Sequence, residues 1–358
     1  MIPKSDCIGC GVCVNKCNNN AIKLEKDETG FVYPLIDDSC CSKCHVCTNY
    51  CPVAVKHSKS QHEPDVYAAW SLDDYVRLNS SSGGIFTELA KSVIKQGGVV
   101  VGATLNSNFS VEHIFIENEF EIELLRRSKY TQSDTKDVYA KIQALLKNEK
   151  LVLFSGTPCQ CAAVKAYLNH DYNNLILCDL ICKGVNSDVA YQRYLVWLKD
   201  KYKSNISEII MRDKNNGWLQ WSIRVLFSNG EEYIAHHKED PFIRGFLANL
   251  YLRPSCTNCN FKGVKRQVDI TLGDFWGIMH DNDSDMLKGI SVVFVHTTRG
   301  HDLFNEISNA IYFKKSSAND CVKKNPMLVE SSYYNPKVLL FYSRGGVDFG
   351  ELIDELLS

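Results

Sequence analysis

The 358-residue chain carries sixteen cysteines, and their spacing is its strongest chemical signal. Cys7, Cys10, Cys13 and Cys17 lie in CIGCGVCVNKC, a C-x2-C-x2-C-x3-C run. The same run returns 34 residues later as Cys41, Cys44, Cys47 and Cys51 in CSKCHVCTNYCP. Three thiolates two residues apart wrap a short loop around three irons of a cube, and the fourth thiolate of each run reaches the other cluster. This assigns Cys7, Cys10, Cys13 and Cys51 to one [4Fe-4S] cluster and Cys41, Cys44, Cys47 and Cys17 to a second. Gly9 and Gly11 allow the tight turns. Zinc suits the spacing less, because tetrahedral sites pair two knuckles across a longer loop.

A repeat of this kind is the two-cluster bacterial ferredoxin pattern. Cys51 is followed by Pro52 as that pattern expects, whereas Cys17 is followed by Asn18, a change that removes no ligand. Cys40, beside Cys41, is a neighbour rather than a ligand.

Four further cysteines stand at wider spacing. LVLF at 151–154 reads as a short buried strand, SGTPC turns the chain, and 160–168 reads as a helix, so Cys159 sits just past the strand's carboxyl end. LILCDLI at 175–181 reads as a second strand, ending at Cys182-Lys183-Gly184. If the two strands are parallel, as the intervening helix implies, Cys159 and Cys182 share the sheet edge where α/β proteins place ligands. Cys256 and Cys259 form a Cys-x-x-Cys pair in SCTNCNFKG able to fold over that edge. Three readings follow: a third [4Fe-4S] cluster on Cys159, Cys182, Cys256 and Cys259, a zinc site on the same four, or a reactive Cys159 thiol activated at a helix N-terminus. Cys161, Cys178 and Cys321 read as buried thiols.

The elements around them alternate between strand and helix, which predicts an α/β (α+β) fold: a ferredoxin module followed by a larger domain around a mixed, partly parallel sheet. The expected divisions are 1–56 for the ferredoxin module, 57–66 for a polar linker, 67–300 for the larger domain and 301–358 for a helical extension. NSSSGGIFTELAKSVIKQGGVVVGATL places a small-residue loop at 80–84 before a helix and then a strand, an arrangement suited to a phosphate. Residues 221–227 and 232–236 flank Asn229-Gly230 and read as a hairpin, 242–252 as a helix, and DITLGDFWG as a strand whose Asp274 and Trp276 could line a flat cofactor. A net charge of −2 supplies no field for nucleic acid. The N-terminus has no apolar signal-like stretch and no segment is long enough to span a bilayer, so a cytoplasmic protein with no membrane contact is expected.

SSGGIFTELAKSVIKQGGVVVGA, RRSKYTQS, LFSGTPCQ, DLICKGV, RPSCTNC and DITLGDFWG together resemble the β subunit of coenzyme F(420) hydrogenase/dehydrogenase and its relatives. Those relatives include ferredoxin-fused bacterial proteins and 7-hydroxymethyl chlorophyll a reductase. The resemblance implies FAD in the larger domain, contacted by the Ser81-Ser82-Gly83-Gly84 loop and by Lys129, Tyr130, Gln132 and Ser133, with Asp274 nearby. Relatives usually show Cys-His-Gly where Lys183 stands here, so that histidine's proton-transfer role does not carry over and Lys183 is the candidate catalytic residue, and Gly-Ser-Lys-Tyr where Arg127 stands. The implied activity is an iron-sulfur flavoprotein oxidoreductase passing electrons between the clusters and FAD, to or from an organic substrate or deazaflavin-like cofactor, in some relatives in surface polysaccharide synthesis. The alternative is a non-catalytic electron-transfer subunit relaying electrons to a partner enzyme. A redox partner protein or small carrier is expected either way.

Overall fold

The computed structural model describes residues 1–55, 62–135, 137–278 and 283–358. Half of the expected linker, residues 57–61, lies outside the described residues.

The two cysteine runs fold as matching loops, each closing on a short helix, Val12–Asn15 and Val46–Asn49, with an antiparallel hairpin, Ile22–Lys26 and Val32–Ile36, beside them. The larger domain is built on an eight-stranded mixed sheet. Its centre is parallel: Val99–Leu105, Val152–Gly156, Leu175–Leu180 and Ile270–Asp274 pair in that order. These strands are continuous apolar runs because helices cover both faces, and Val99, Val152, Leu153 and Phe154 are almost wholly enclosed. Antiparallel strands extend the sheet on both sides, Val111–Ile116 on one and Ser291–Val295, Asp65–Ser71 and Ile311–Ser316 on the other.

Ile311–Ser316 departs from the helical extension expected at 301–358. Its alternation of one buried and several exposed residues is that of an edge strand, and it pairs with Asp65–Ser71. The final helix, Phe349–Leu357, is also not an appendage. Phe349, Leu352, Ile353 and Leu356 are buried in a second core with Tyr194, Phe242 and Val225. That core belongs to a three-stranded sheet, Ile206–Asp213, Ser222–Phe227 and Glu232–His236, of which the sequence pattern reveals only the hairpin. The helix expected at 242–252 is shorter, Pro241–Leu247, and the chain turns at Asn249, whose φ is 62°.

Candidate redox site

The parallel centre sends several loops to one edge, and the chemistry collects there. Thr157 caps the helix Pro158–Leu168 through a reciprocal exchange with Gln160, with Pro158 in its first turn. Cys159 therefore lies in the first helical turn. Cys182 lies two residues beyond Leu175–Leu180, Cys256 in the short 3-10 turn Pro254–Asn258, and Cys259 just after it. All four line one small cavity.

Burial raises three of these thiols: Cys182 to about 11, Cys256 to about 12, and Cys159 well above its ordinary value. For Cys159 the Thr157 hydroxyl acts against the rise, and burial outweighs it. Among the described residues no three His, Cys, Asp or Glu side chains converge on a single-ion position. Cys7, Cys10, Cys13 and Cys51 likewise line a cavity, with Cys47, in the ferredoxin module. Burial likewise raises Cys10 and Cys13 to about 12, with Cys7 and Cys51 adding charge at both. Cys47 and Cys51 of the second run thus both lie beside the cysteines of the first.

The first cysteine loop is fastened to the larger domain by its carbonyls. Arg253, 1% exposed, donates to Cys7 O at 2.7 Å, Gln132 Oε1 at 2.9 Å and Val32 O at 2.8 Å. Gln132 Nε2 donates to Ile8 O at 3.0 Å, and Tyr139 Oη to Cys10 O at 2.7 Å. Gln132, expected on the flavin, thus serves the contact between domains. As a result Ile8, Gly9 and Cys10 line the same cavity as Cys159, Cys182, Cys256 and Cys259.

A second, larger cavity of about 360 Å³ opens on the other side of Cys182, within the range of small-molecule sites. Thr157, Gln160, Ser133 and residues 182–185 line both spaces. The 80–84 loop and the helix Ile85–Lys95 form its far wall, as expected for a phosphate cradle, but the serine hydroxyls are already engaged. Ser82 Oγ donates to Ile290 O, Ser80 Oγ to Val76 O, and Ser81 Oγ accepts from Ser128 N. What remains toward the cavity is the backbone of the helix start. Gly83 lies outside the lining: a Cβ there would come within 2.4 Å of Ala69 O, so its role is close packing.

Lys129 lines the cavity with its ammonium tied to Leu124 O and Arg126 O, and burial beside Arg127 pulls its pKa down to about 7. Tyr130 and Asp274 both meet Arg212, a residue the sequence pattern does not single out. Arg212 is 5% exposed, ion-paired to Asp274 at 3.1 Å, and bonded to Ser81 O. Burial opposes its charge, but Asp274 and Tyr130 outweigh that and hold its proton more tightly than usual. Asp274 also accepts from Trp218 Nε1 at 2.7 Å, and it lines the cavity beside Arg212. Trp276 stacks on Trp218 at 4.6 Å instead of lining the cavity. Lys183 lines both cavities, 5.9 Å above the Phe246 ring, and burial followed by the Lys262 charge lowers its pKa to about 8.

Two features fit this cavity to a bound anionic cofactor. Its lining carries Arg126, Arg127, Lys129, Lys183 and Arg212 against only Asp179 and Asp274. His113 Nδ1, Thr131 Oγ1 and Arg212 Nε, on lining residues, are buried without a partner, an incomplete state that bound ligands or waters commonly relieve. Among the described residues no helix is long and apolar enough to cross a membrane.

Comparison with known proteins agrees with this layout. Residues 6–55 match the 4Fe-4S dicluster domain, so the first eight cysteine ligands belong to an iron-sulfur module. Residues 66–139 match the N-terminal part, and residues 149–320 the C-terminal part, of the coenzyme F420 hydrogenase/dehydrogenase beta subunit. One of the subunits of the F(420)H(2) dehydrogenase of Methanosarcina mazei is 23% identical over 261 residues, covering 67% of this chain and 71% of that relative. A chain of the F420-reducing [NiFe] hydrogenase complex from Methanosarcina barkeri shares the fold with a TM-score of 0.50 at 16% identity, over 85% of this chain and 93% of that one. The chain belongs to the family of coenzyme F420 hydrogenase/dehydrogenase beta subunits and carries an N-terminal 4Fe-4S dicluster domain.

Proposed function

We propose that the chain is an electron-transfer subunit that carries electrons from a partner protein through three [4Fe-4S] clusters to a flavin in the 360 Å³ cavity, or in the reverse direction. The observation that carries this reading is continuity. The first ferredoxin loop and the four cysteines Cys159, Cys182, Cys256 and Cys259 line one cavity, and residues 182–185 line that cavity and the next. The subunit reading is favoured over a self-sufficient enzyme because the relatives above are by name parts of larger assemblies. No observation favours a surface-polysaccharide setting over any other.

A flavin such as FAD would exchange hydride with an organic partner and single electrons with the clusters. The start of the helix Ile85–Lys95, with Arg126 and Arg127, would hold its phosphates, and Tyr130, Arg212 and Lys183 would face the rest. Asp274 pairs with Arg212, and Phe246 and Leu272 add apolar lining. Anaerobic purification with iron, sulfide, zinc and flavin analysis tests the reading. About twelve irons and one flavin per chain is the expected result. About eight irons with one zinc eliminates the third cluster, and absence of flavin eliminates the cofactor.

A further inference from the structure

Five cationic side chains line the larger cavity, and four of them are restrained. Arg126 donates to Thr87 and Glu123, Arg127 to Asn79, Lys129 to two carbonyls, and Arg212 is paired with Asp274. The ammonium of Lys183 has no hydrogen-bond or ion-pair partner among the described residues. Its surroundings are the Phe246 ring at 5.9 Å and the repulsive charge of Lys262. An unpaired cation in a partly buried place is costly unless something negative occupies the space beside it. Its backbone is fixed on both sides: Ser332 Oγ donates to Lys183 O at 2.7 Å, and the preceding carbonyl, Cys182 O, accepts from Lys262 Nζ. The side chain is thereby rooted at the boundary of the two cavities, with its ammonium unrestrained.

We propose that Lys183 is the electrostatic coupling residue between the third cysteine site and the flavin, its charge favouring the reduced form of the flavin. This rests on the reading above. Each electron passing this boundary leaves the donor one unit more positive and the acceptor one unit more negative. A cation at the boundary makes the acceptor's gain less unfavourable. Restraint of the other four cations leaves Lys183 as the lining charge best able to turn toward the newly reduced group. The role uses the charge itself, not gain or loss of a proton.

The test is an anaerobic redox titration of the bound flavin, followed by its absorbance, in the wild-type chain, Lys183→Met and Lys183→Arg. Thermal melting and iron content establish that each variant is folded and loaded. The expected result is that Lys183→Met makes two-electron reduction of the flavin at least tenfold less favourable, about 30 mV more negative. Lys183→Arg should stay within threefold of the wild type. An unchanged midpoint in a folded, flavin-loaded Lys183→Met chain overturns the coupling role and leaves the proposed function standing. Equal shifts in Lys183→Met and Lys183→Arg also overturn it, because packing rather than charge would then be the cause. A wild-type chain that binds no flavin removes both.

Discussion

The two cysteine loops have the same spacing and the same backbone but opposite surroundings. In the first, Gly9 and Gly11 have φ of 65° and 75°; in the second, the matching residues are Lys43 and His45, at 56° and 59°. The left-handed conformation costs a non-glycine residue roughly 1–2 kcal/mol, so backbone geometry alone does not explain why glycine is kept in one loop and absent from the other. Packing does. A Cβ on Gly9 would come within 2.6 Å of the Arg253 guanidinium, whereas Lys43 projects from an exposed loop. The first loop faces inward, against the larger domain. The second, with Cys44 exposed, is the face a redox partner can reach.

The contrast can be broken from the inside. Arg253→Ala should destabilise the chain by about 3–5 kcal/mol, because it strands the buried carbonyls of Cys7 and Val32 and opens a cavity. The outer counterpart Asn19→Ala, which removes an exposed bond to Cys40 O, should cost less than about 0.5 kcal/mol. Denaturant titrations of both variants give the comparison directly.

The larger domain carries a pH signature of its own. His113 is 8% exposed, and burial lowers its pKa from 6.5 to about 4. The unfolded chain therefore takes up a proton that the folded chain resists, so stability is complete above about pH 6.5 and falls as pH drops toward 4, by at most roughly 3 kcal/mol. Asp240, raised by burial to about 6, acts with the opposite sign. The difference between wild type and His113→Gln isolates the histidine, and the variant's stability should fall less steeply over that window.

The most direct pair exchanges the loops' own residues. Gly9→Ala should cost about 2–3 kcal/mol through strain and the Arg253 clash, whereas Lys43→Gly should be neutral or stabilising by up to about 1 kcal/mol. Equal effects at the two positions would mean that burial does not distinguish the loops.

Much of this is legible in the sequence because it rests on local spacing. Both cysteine runs, the strands leading to Cys159 and Cys182, and the loop before Ile85 follow from short-range pattern, and the structure brings Cys256 and Cys259 to the same edge. What escapes is long-range. Arg212 reads as one basic residue in MRDK, and only folding brings it to Asp274, sixty-two residues on. Arg253 reads only as a residue just past the helix expected at 242–252 until Cys7, 246 residues away, accepts from it. Gln132 falls to the flavin by its neighbours in sequence, but alternation turns it to the opposite side from Thr131 and Ser133. The strand Ile311–Ser316 has little apolar signal because an edge position buries few of its residues.

The central claim is that the third cysteine site joins the ferredoxin module to the flavin. Stopped-flow mixing of the anaerobic chain with a reduced protein donor such as ferredoxin, followed at cluster and flavin wavelengths, tests it in wild type and Cys256→Ser. The account predicts that the ferredoxin-type clusters are reduced normally in both, while flavin reduction slows at least a hundredfold in Cys256→Ser, which should also lose about four irons. Flavin reduction at the wild-type rate in a Cys256→Ser chain lacking those irons would contradict it.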